Sequence, residues 1–316
     1  VAVGFRALEI NTGNSNVAVG VASCSYNTTG KQNTGVGNNT LQMNQTGENN
    51  VAVGYEALRN NTIGGDNVAM GYYASQQLTI GSQNVAVGCM AASQGNYGSV
   101  TAVGYQALEK TTAGENSAVG WRALQNNTTG TGNTGLGSSA LLSNNTGNNN
   151  VAVGLKAAYT LAGGSENVAV GCWAAFAGSG FSQVTAVGYA ALENTTGSYN
   201  TAVGRWALKA NTSAMFNTAV GGSALEKNTQ WGRNTAVGYA TLNENLTGDD
   251  NTAVGTEANR YNTTGATNVA VGSNSLLQNT SGNQNTAIGY NSLKTNQTAS
   301  NNTAVGYEAL KMNTGP

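Results

Sequence analysis

Histidine is absent from the 316 residues, proline occurs once, and charged side chains make up only 9% of the chain. Without an imidazole, neither a Ser-His-Asp nor a Cys-His arrangement can form, and the commonest nitrogen ligand for a metal is missing. Thirteen basic residues are scattered singly against 14 acidic ones, for a net charge of −1. That balance gives no electrostatic footprint for nucleic acid or an anionic membrane. No apolar run approaches the roughly 18 residues of a membrane-spanning helix. Neither a starting Met nor a signal peptide precedes Val1, which opens in mid-motif, so the chain reads as a mature or excised segment. Three cysteines, Cys24, Cys89 and Cys172, cannot all pair within one chain. They read as small buried hydrophobes rather than as cross-links between chains.

What the chain has in abundance is Gly, 44 residues, and Asn, 46 residues. Such a composition suits a disordered chain, but small apolar residues recur at fixed phase throughout. With the Gly of Ala-Val-Gly taken as position zero, the motif falls at Gly4, Gly20, Gly37 and onward to Gly306, nineteen times. Fourteen of the eighteen intervals are 17 residues and four are 16. No gap can hold a linker, so residues 1–316 read as a single uninterrupted array of nineteen repeats.

One unit runs Asn234-Thr-Ala-Val-Gly-Tyr-Ala-Thr-Leu242 and then Asn243-Glu-Asn-Leu-Thr-Gly-Asp-Asp250. Position −1 is apolar throughout, −3 is Val or Thr except at Ser117, −2 is Ala or Gly, and +4 is Leu in thirteen repeats. β-Branched residues bounded by Gly and Asn predict a short strand, and two Gly breaks per unit exclude paired helices. A unit this small cannot bury its apolar side alone, but stacked units share a thin continuous core. The expected fold is therefore all-β, a parallel β-solenoid or β-roll with one 16–17-residue repeat per coil.

Position −4 is Asn at Asn16, Asn33, Asn50, Asn67, Asn84, Asn116, Asn133, Asn150, Asn167, Asn200, Asn217, Asn234, Asn251, Asn268, Asn285 and Asn302, with Val100 and Val184 as exceptions. An amide donates to and accepts from its copy one coil away, so this row predicts a structural ladder. Within the strand, −3 and −1 share one side and −2 takes the other. Two arrangements are open. The preferred one buries both sides, with Ala202, Ala219, Ala236 and Ala253 in a close-packed seam. In the other, Ala fills the interior of the coil and Val and Thr line its outside.

Segments such as Asn200-Thr-Ala-Val-Gly-Arg-Trp-Ala-Leu208 and Asn283-Gln-Asn-Thr-Ala-Ile-Gly289 resemble the head repeats of trimeric autotransporter adhesins. They are also similar to the Asn-Thr-Ala-Val-Gly-Tyr-x-Ala-Leu arrays of phage tail-fibre-like surface proteins. The resemblance covers essentially the whole chain. It implies a left-handed parallel β-roll, a homotrimer, and display outside a cell or virion. The autotransporter head unit is shorter than this one, which leaves the number of strands per coil open.

Aromatics gather at +1: Phe5, Tyr55, Tyr72, Tyr105, Trp121, Tyr189, Tyr239, Tyr290 and Tyr307. They could stack on glycans; the preferred reading has them covering the Leu side of the coil. Asn-x-Ser/Thr sequons place Asn27, Asn44, Asn60, Asn144, Asn194, Asn211, Asn245, Asn262, Asn279 and Asn296 at +6 or +7. That phase reads as an exposed turn and makes these residues candidates for N-glycosylation. Asp249-Asp250 reads as a solvated turn rather than a glycosidase pair.

The function expected is that of a structural or adhesive extracellular fibre subunit without catalysis or cofactor. Its partners would be copies of itself, as a trimer or end-to-end filament, with cell-surface or environmental glycans as further contacts. Nucleic acid and membrane insertion are not expected. The alternative is an ice-binding β-roll, because the unit resembles the Asn-x-Val-x-Gly repeats of β-roll antifreezes with flat Thr-rich faces; against it, Thr dominates −3 only from Thr185 to Thr252. A carbohydrate-binding or carbohydrate-active solenoid ranks third. Neither end carries an atypical capping repeat, so the terminal coils are expected to be continued or stacked upon.

Overall fold

A computed structural model describes residues 1–313. They contain no helix, and every strand is parallel to its sequence neighbours within two compact units, Val1–Gly163 and Gly164–Pro316. The first unit holds ten strands, from β1 (Ala2–Val3) and β2 (Val17–Val19) to β10 (Val151–Val153). The second holds nine, from β11 (Val168–Val170) to β19 (Thr303–Val305). Each unit is a parallel β-solenoid with one repeat per coil. Register follows the repeat: Thr201, Ala202 and Val203 pair with Thr218, Ala219 and Val220, and these pair with Thr235, Ala236 and Val237.

Backbone hydrogen bonds run to both neighbouring coils. In the coil of Gly20, the amides of Gly20 and Ala22 donate backward to Val3 and Phe5, both at 2.8 Å. Those of Cys24 and Tyr26 donate forward to Thr40 and Gln42, at 2.9 and 3.0 Å. The reversal comes from alternating handedness after the strand, where +2 and +4 take positive φ. Asn39 and Leu41 in the next coil, at 57° and 47°, are typical. A third positive φ at −5, such as Gln32 at 57°, turns the chain into the strand. The zero-phase Gly is obligatory. Its φ lies between 122° and 141°, and a Cβ on Gly204 would come within 2.5 Å of the Gly221 carbonyl oxygen.

The interior is thin and rich in buried amide side chains. Ala at −2 and +3 and Leu at +4 are buried, as in Ala202, Ala207 and Leu208. The outer side of the strand, −3 and −1, is half-exposed, Val203, Val220 and Val237 each at 37%. Of the two sides, Ala is the inward one, so the close packing expected of it lies within the coil, while the β-branched side is exposed in the single chain. Ala202, Ala219, Ala236 and Ala253 face the inside of their own coils, and the β-branched side faces outward. A three-residue strand between two tight corners has one inward side chain, and only a methyl group fits where opposite walls of so small a coil approach.

Where −2 shrinks to Gly35, polar groups enter instead. The Ser23 and Thr40 hydroxyls lie 2.8 Å apart, and Ser23 donates to the Gly35 carbonyl at 3.1 Å. Buried Cys24 beside them is pushed up to about 11 by desolvation, only partly offset by Ser23.

Candidate interaction surface

The Asn row at −4 lies inside each coil. Asn33 Oδ1 accepts from the backbone N–H of Asn50 at 3.0 Å, and Asn50 Oδ1 from that of Asn67 at 3.1 Å. Equivalent bonds join Asn16 to Asn33, Asn67 to Asn84, Asn116 to Asn133 and Asn133 to Asn150. In the second unit they join Asn200 to Asn217, Asn217 to Asn234, Asn234 to Asn251 and Asn251 to Asn268. Asn268, Asn285 and Asn302 continue the series, while the oxygen of Asn167 receives the amide of Val184.

A second buried amide row stands across the coil at +7. Asn262 Nδ2 donates to Asn245 Oδ1 at 2.7 Å and to the Gly265 carbonyl at 2.8 Å, while its own oxygen accepts from Asn279 at 2.9 Å. Asn251 reaches the same Gly265 carbonyl from −4, at 2.8 Å. One carbonyl oxygen thereby clamps both walls of the coil.

This second ladder corrects the reading of the sequons. Asn27, Asn44, Asn144, Asn211, Asn245, Asn262, Asn279 and Asn296 are fully buried and spend their Nδ2 groups inside the coil. Only Asn60, half-buried, and Asn194, exposed, stand one position earlier and outside the ladder. An Asn before a Gly suits an exposed turn and a closing clamp equally, and its tripeptide cannot distinguish them.

The ladder breaks twice. At +7, Leu78 and Gly95 replace Asn in the first unit, and Tyr97 fills the core with its hydroxyl donating to the Ala92 carbonyl and lying 3.0 Å from Ser75 Oγ. In the second unit Phe181 is buried in the coil that carries Gly178 and Val184.

The outer surfaces are repetitive. Val or an equivalent at −1 and Val, Thr or Ser at −3 form one face in each unit. The +1 rings stand outside the coil: Leu58 is buried while Tyr55 is 41% exposed. Tyr55 stacks on Tyr72, and Tyr290 on Tyr307, both with centroids 5.5 Å apart. Between +6 and +8 runs a shallow groove, about 650 Å³ along Glu244, Tyr261, Thr263, Gln278, Thr280 and Gln297. A similar groove lies at the same phase along Lys110, Asn126, Thr128, Ser143 and Asn145. Its threonines are committed: Thr128, Thr263 and Thr280 donate their hydroxyls to the next coil's carbonyl at 2.8–3.0 Å.

One surface departs from the repeat and escapes a reading by phase alone. At −6 and −5 the coils carry small or polar residues, except for Tyr199, Met215 and Phe216; at +10, Trp231 replaces the usual Gly. All four are exposed, and the Tyr199 and Phe216 rings stack at 5.0 Å and 11°. Arg233 beside them binds Asp250 through Nε at 2.7 Å and Nη2 at 2.9 Å, and Asp249 at 3.2 Å. Apolar residues at phases otherwise polar were the available signal.

Among the described residues, no three His, Cys, Asp or Glu side chains are grouped as a metal site requires, and no helix is long and apolar enough to cross a membrane. No protein-family model matches the sequence, and no curated protein is significantly similar to it.

Proposed function

We propose that this chain is a structural, adhesive subunit of an extracellular fibre, displayed on a cell or virion and associating with copies of itself. The observation that carries this reading is the outward strand face. In each unit it presents an unbroken row of half-exposed Val, Leu, Ile or Met at −1, flanked by Val, Thr or Ser at −3. Contiguous apolar surface of this kind marks an association face. Charge is too sparse to keep such faces apart.

The test is sedimentation velocity and electron microscopy of the parent and of Val203→Lys, Val220→Lys, Val237→Lys combined. The parent is expected to form oligomers or filaments at micromolar concentration. The triple variant should keep the parent's circular dichroism and sediment as smaller species. A parent that stays monomeric across that range overturns the proposal.

Ice binding is the second reading, favoured by Thr185, Thr201, Thr218, Thr235 and Thr252. These pair in register along one outward row. Thermal hysteresis in the dispersed chain, lost on Thr218→Tyr with Thr235→Tyr, would support it; no hysteresis in the parent would dismiss it.

A further inference from the structure

Most surfaces of this molecule are dictated by its repeat, so a local departure that no coil needs for folding asks for another explanation. The corner formed by Tyr199, Met215, Phe216 and Trp231 is such a departure. These side chains are 51, 44, 54 and 53% exposed, which is costly in water and unnecessary for a corner that Gly and Asn serve elsewhere. A groove of about 230 Å³ is lined by Met215, Phe216 and Trp231 together with Ser213, Gln230, Gly232, Arg233 and Asp249, and Tyr199 stacks on Phe216 beside it.

We propose that this corner is a binding subsite for a neutral oligosaccharide, taking one pyranose ring whose hydroxyls are equatorial, as in β-linked glucose or N-acetylglucosamine. Such a ring presents C–H bonds on its faces and hydroxyls around its edge. The aromatic side chains supply large, flat apolar surface for the C–H faces. Polar groups for the edge stand at the rim. Asp249 gives Oδ2 to Arg233 and keeps Oδ1 for a ligand hydroxyl; the Gln230 carboxamide and the Ser213 hydroxyl complete the lining.

The charge balance selects against other ligands. The one cation, Arg233, is already held in a two-point pair by Asp250 and bonded again by Asp249. A phosphate or sulfate would have to displace two carboxylates from a guanidinium, and the three groups together carry −1. A folded protein partner fits poorly as well. The corner spans the four coils from Tyr199 to Asp249, about 15 Å at ~4.8 Å per coil, against roughly 800 Å² per partner in a stable interface. A small ligand held by few polar groups on an apolar wall matches what remains.

The proposal is independent of self-association and is tested on chain dispersed by the Val→Lys triple variant. Cellohexaose and chitohexaose are titrated calorimetrically, with a sulfated heparin hexasaccharide as the charged comparison. At least one neutral probe is expected to bind with a millimolar or lower Kd. Trp231→Ala and Phe216→Ser should each weaken it tenfold or more, while Trp231→Phe, which keeps an aromatic ring, and Tyr239→Ala, an exposed ring elsewhere, leave it within twofold. Saturation-transfer NMR should label the axial ring protons of the sugar most strongly. Circular dichroism establishes that each variant is folded, and Asp249→Asn serves as the check that leaves the aromatic wall intact, with an expected loss of at least threefold. Absence of binding by both neutral probes, preference for the sulfated one, or parent-like binding by folded Trp231→Ala and Phe216→Ser overturns the proposal.

Discussion

Where +7 is Asn or Thr, the span of its hydrogen bond follows the length of its coil. In a 17-residue coil an Asn here reaches the carbonyl three residues on, as Asn44 does to Gly47 at 3.0 Å. In 16-residue coils the +8 to +10 turn is one residue shorter, and the +7 side chain spans a two-residue gap: Asn11 Nδ2 to the Gly13 carbonyl at 2.8 Å, Thr111 to Ala113 at 2.9 Å, Thr195 to Gly197 at 3.1 Å. Because the interior is so thin, one substitution acts with opposite sign at neighbouring sites. Asn262→Leu strands the buried Asn245 Oδ1 and takes from Asn279 Nδ2 one of its two acceptors, leaving it the Gly282 carbonyl, and should lower stability by about 1–3 kcal/mol. Asn259→Leu should raise it by about 1–3 kcal/mol, because Asn259 interrupts the Leu row, fully buried, with neither side-chain atom hydrogen-bonded. Chemical denaturation of the two variants should shift the midpoint in opposite directions; shifts of the same sign would contradict this account of the ladder.

At the scale of the strand, phase and chemistry separate. Position zero, the strand at −3 to −1 and the amide row at −4 were legible because each keeps one residue type, or a narrow set, at fixed phase. The side of the strand that faces inward was not. Ala and Val alternate identically in both arrangements, and only coil thickness, a property of closed corners, decides between them. The burial of Asn at +7 was hidden for a related reason, since turn and clamp ask for the same Asn. Trp231 and Phe216 were visible as letters but unweighted, because the search for a repeat discards exceptions. With Ala now placed inside its coil, Ala202→Glu, Ala219→Glu and Ala236→Glu together should unfold these coils rather than merely prevent association. A carboxylate there has neither room nor water. Loss of the β-sheet circular dichroism signal in dispersed chain checks this; a folded but dissociated variant would return the Ala row to an intermolecular seam.

For the whole molecule the scarcity of titrating groups sets the response to pH. With no His, no side chain changes charge near pH 6–7 at its ordinary value. Burial pushes the Glu56 carboxyl up, but hydrogen bonds from Gln76, Tyr55 and Arg59, with the Arg59 charge, hold it below its usual value. Glu308 is held low by hydrogen bonds from Lys311 and Asn291 despite some desolvation. Carboxylates depressed in this way contribute stability above their unfolded values, and lose it as pH falls through the folded ones. Tyr97 moves the other way, raised strongly by burial against the Ser75 hydrogen bond. Its neutral form supports the fold fully below the unfolded value near 10, and that support ends only in strong alkali. The melting temperature should therefore be flat from about pH 6 to 8 and fall below about pH 4. A scan showing a step near neutrality would require a titrating group not accounted for here.

The regular return of Gly to position zero also makes the array countable. Most interior coils receive and offer the same kinds of backbone bond, so neighbours of the regular type are interchangeable. Removal of residues 273–289 would join Gly272 to Tyr290 and leave each remaining contact type in place, whereas removal of 273–281 would pair a strand with a turn. The first deletion should fold and melt near the parent temperature and the second should not, as circular dichroism melts would show. Length in such a chain is a tally of whole units, and any feature confined to one coil travels with it as cargo.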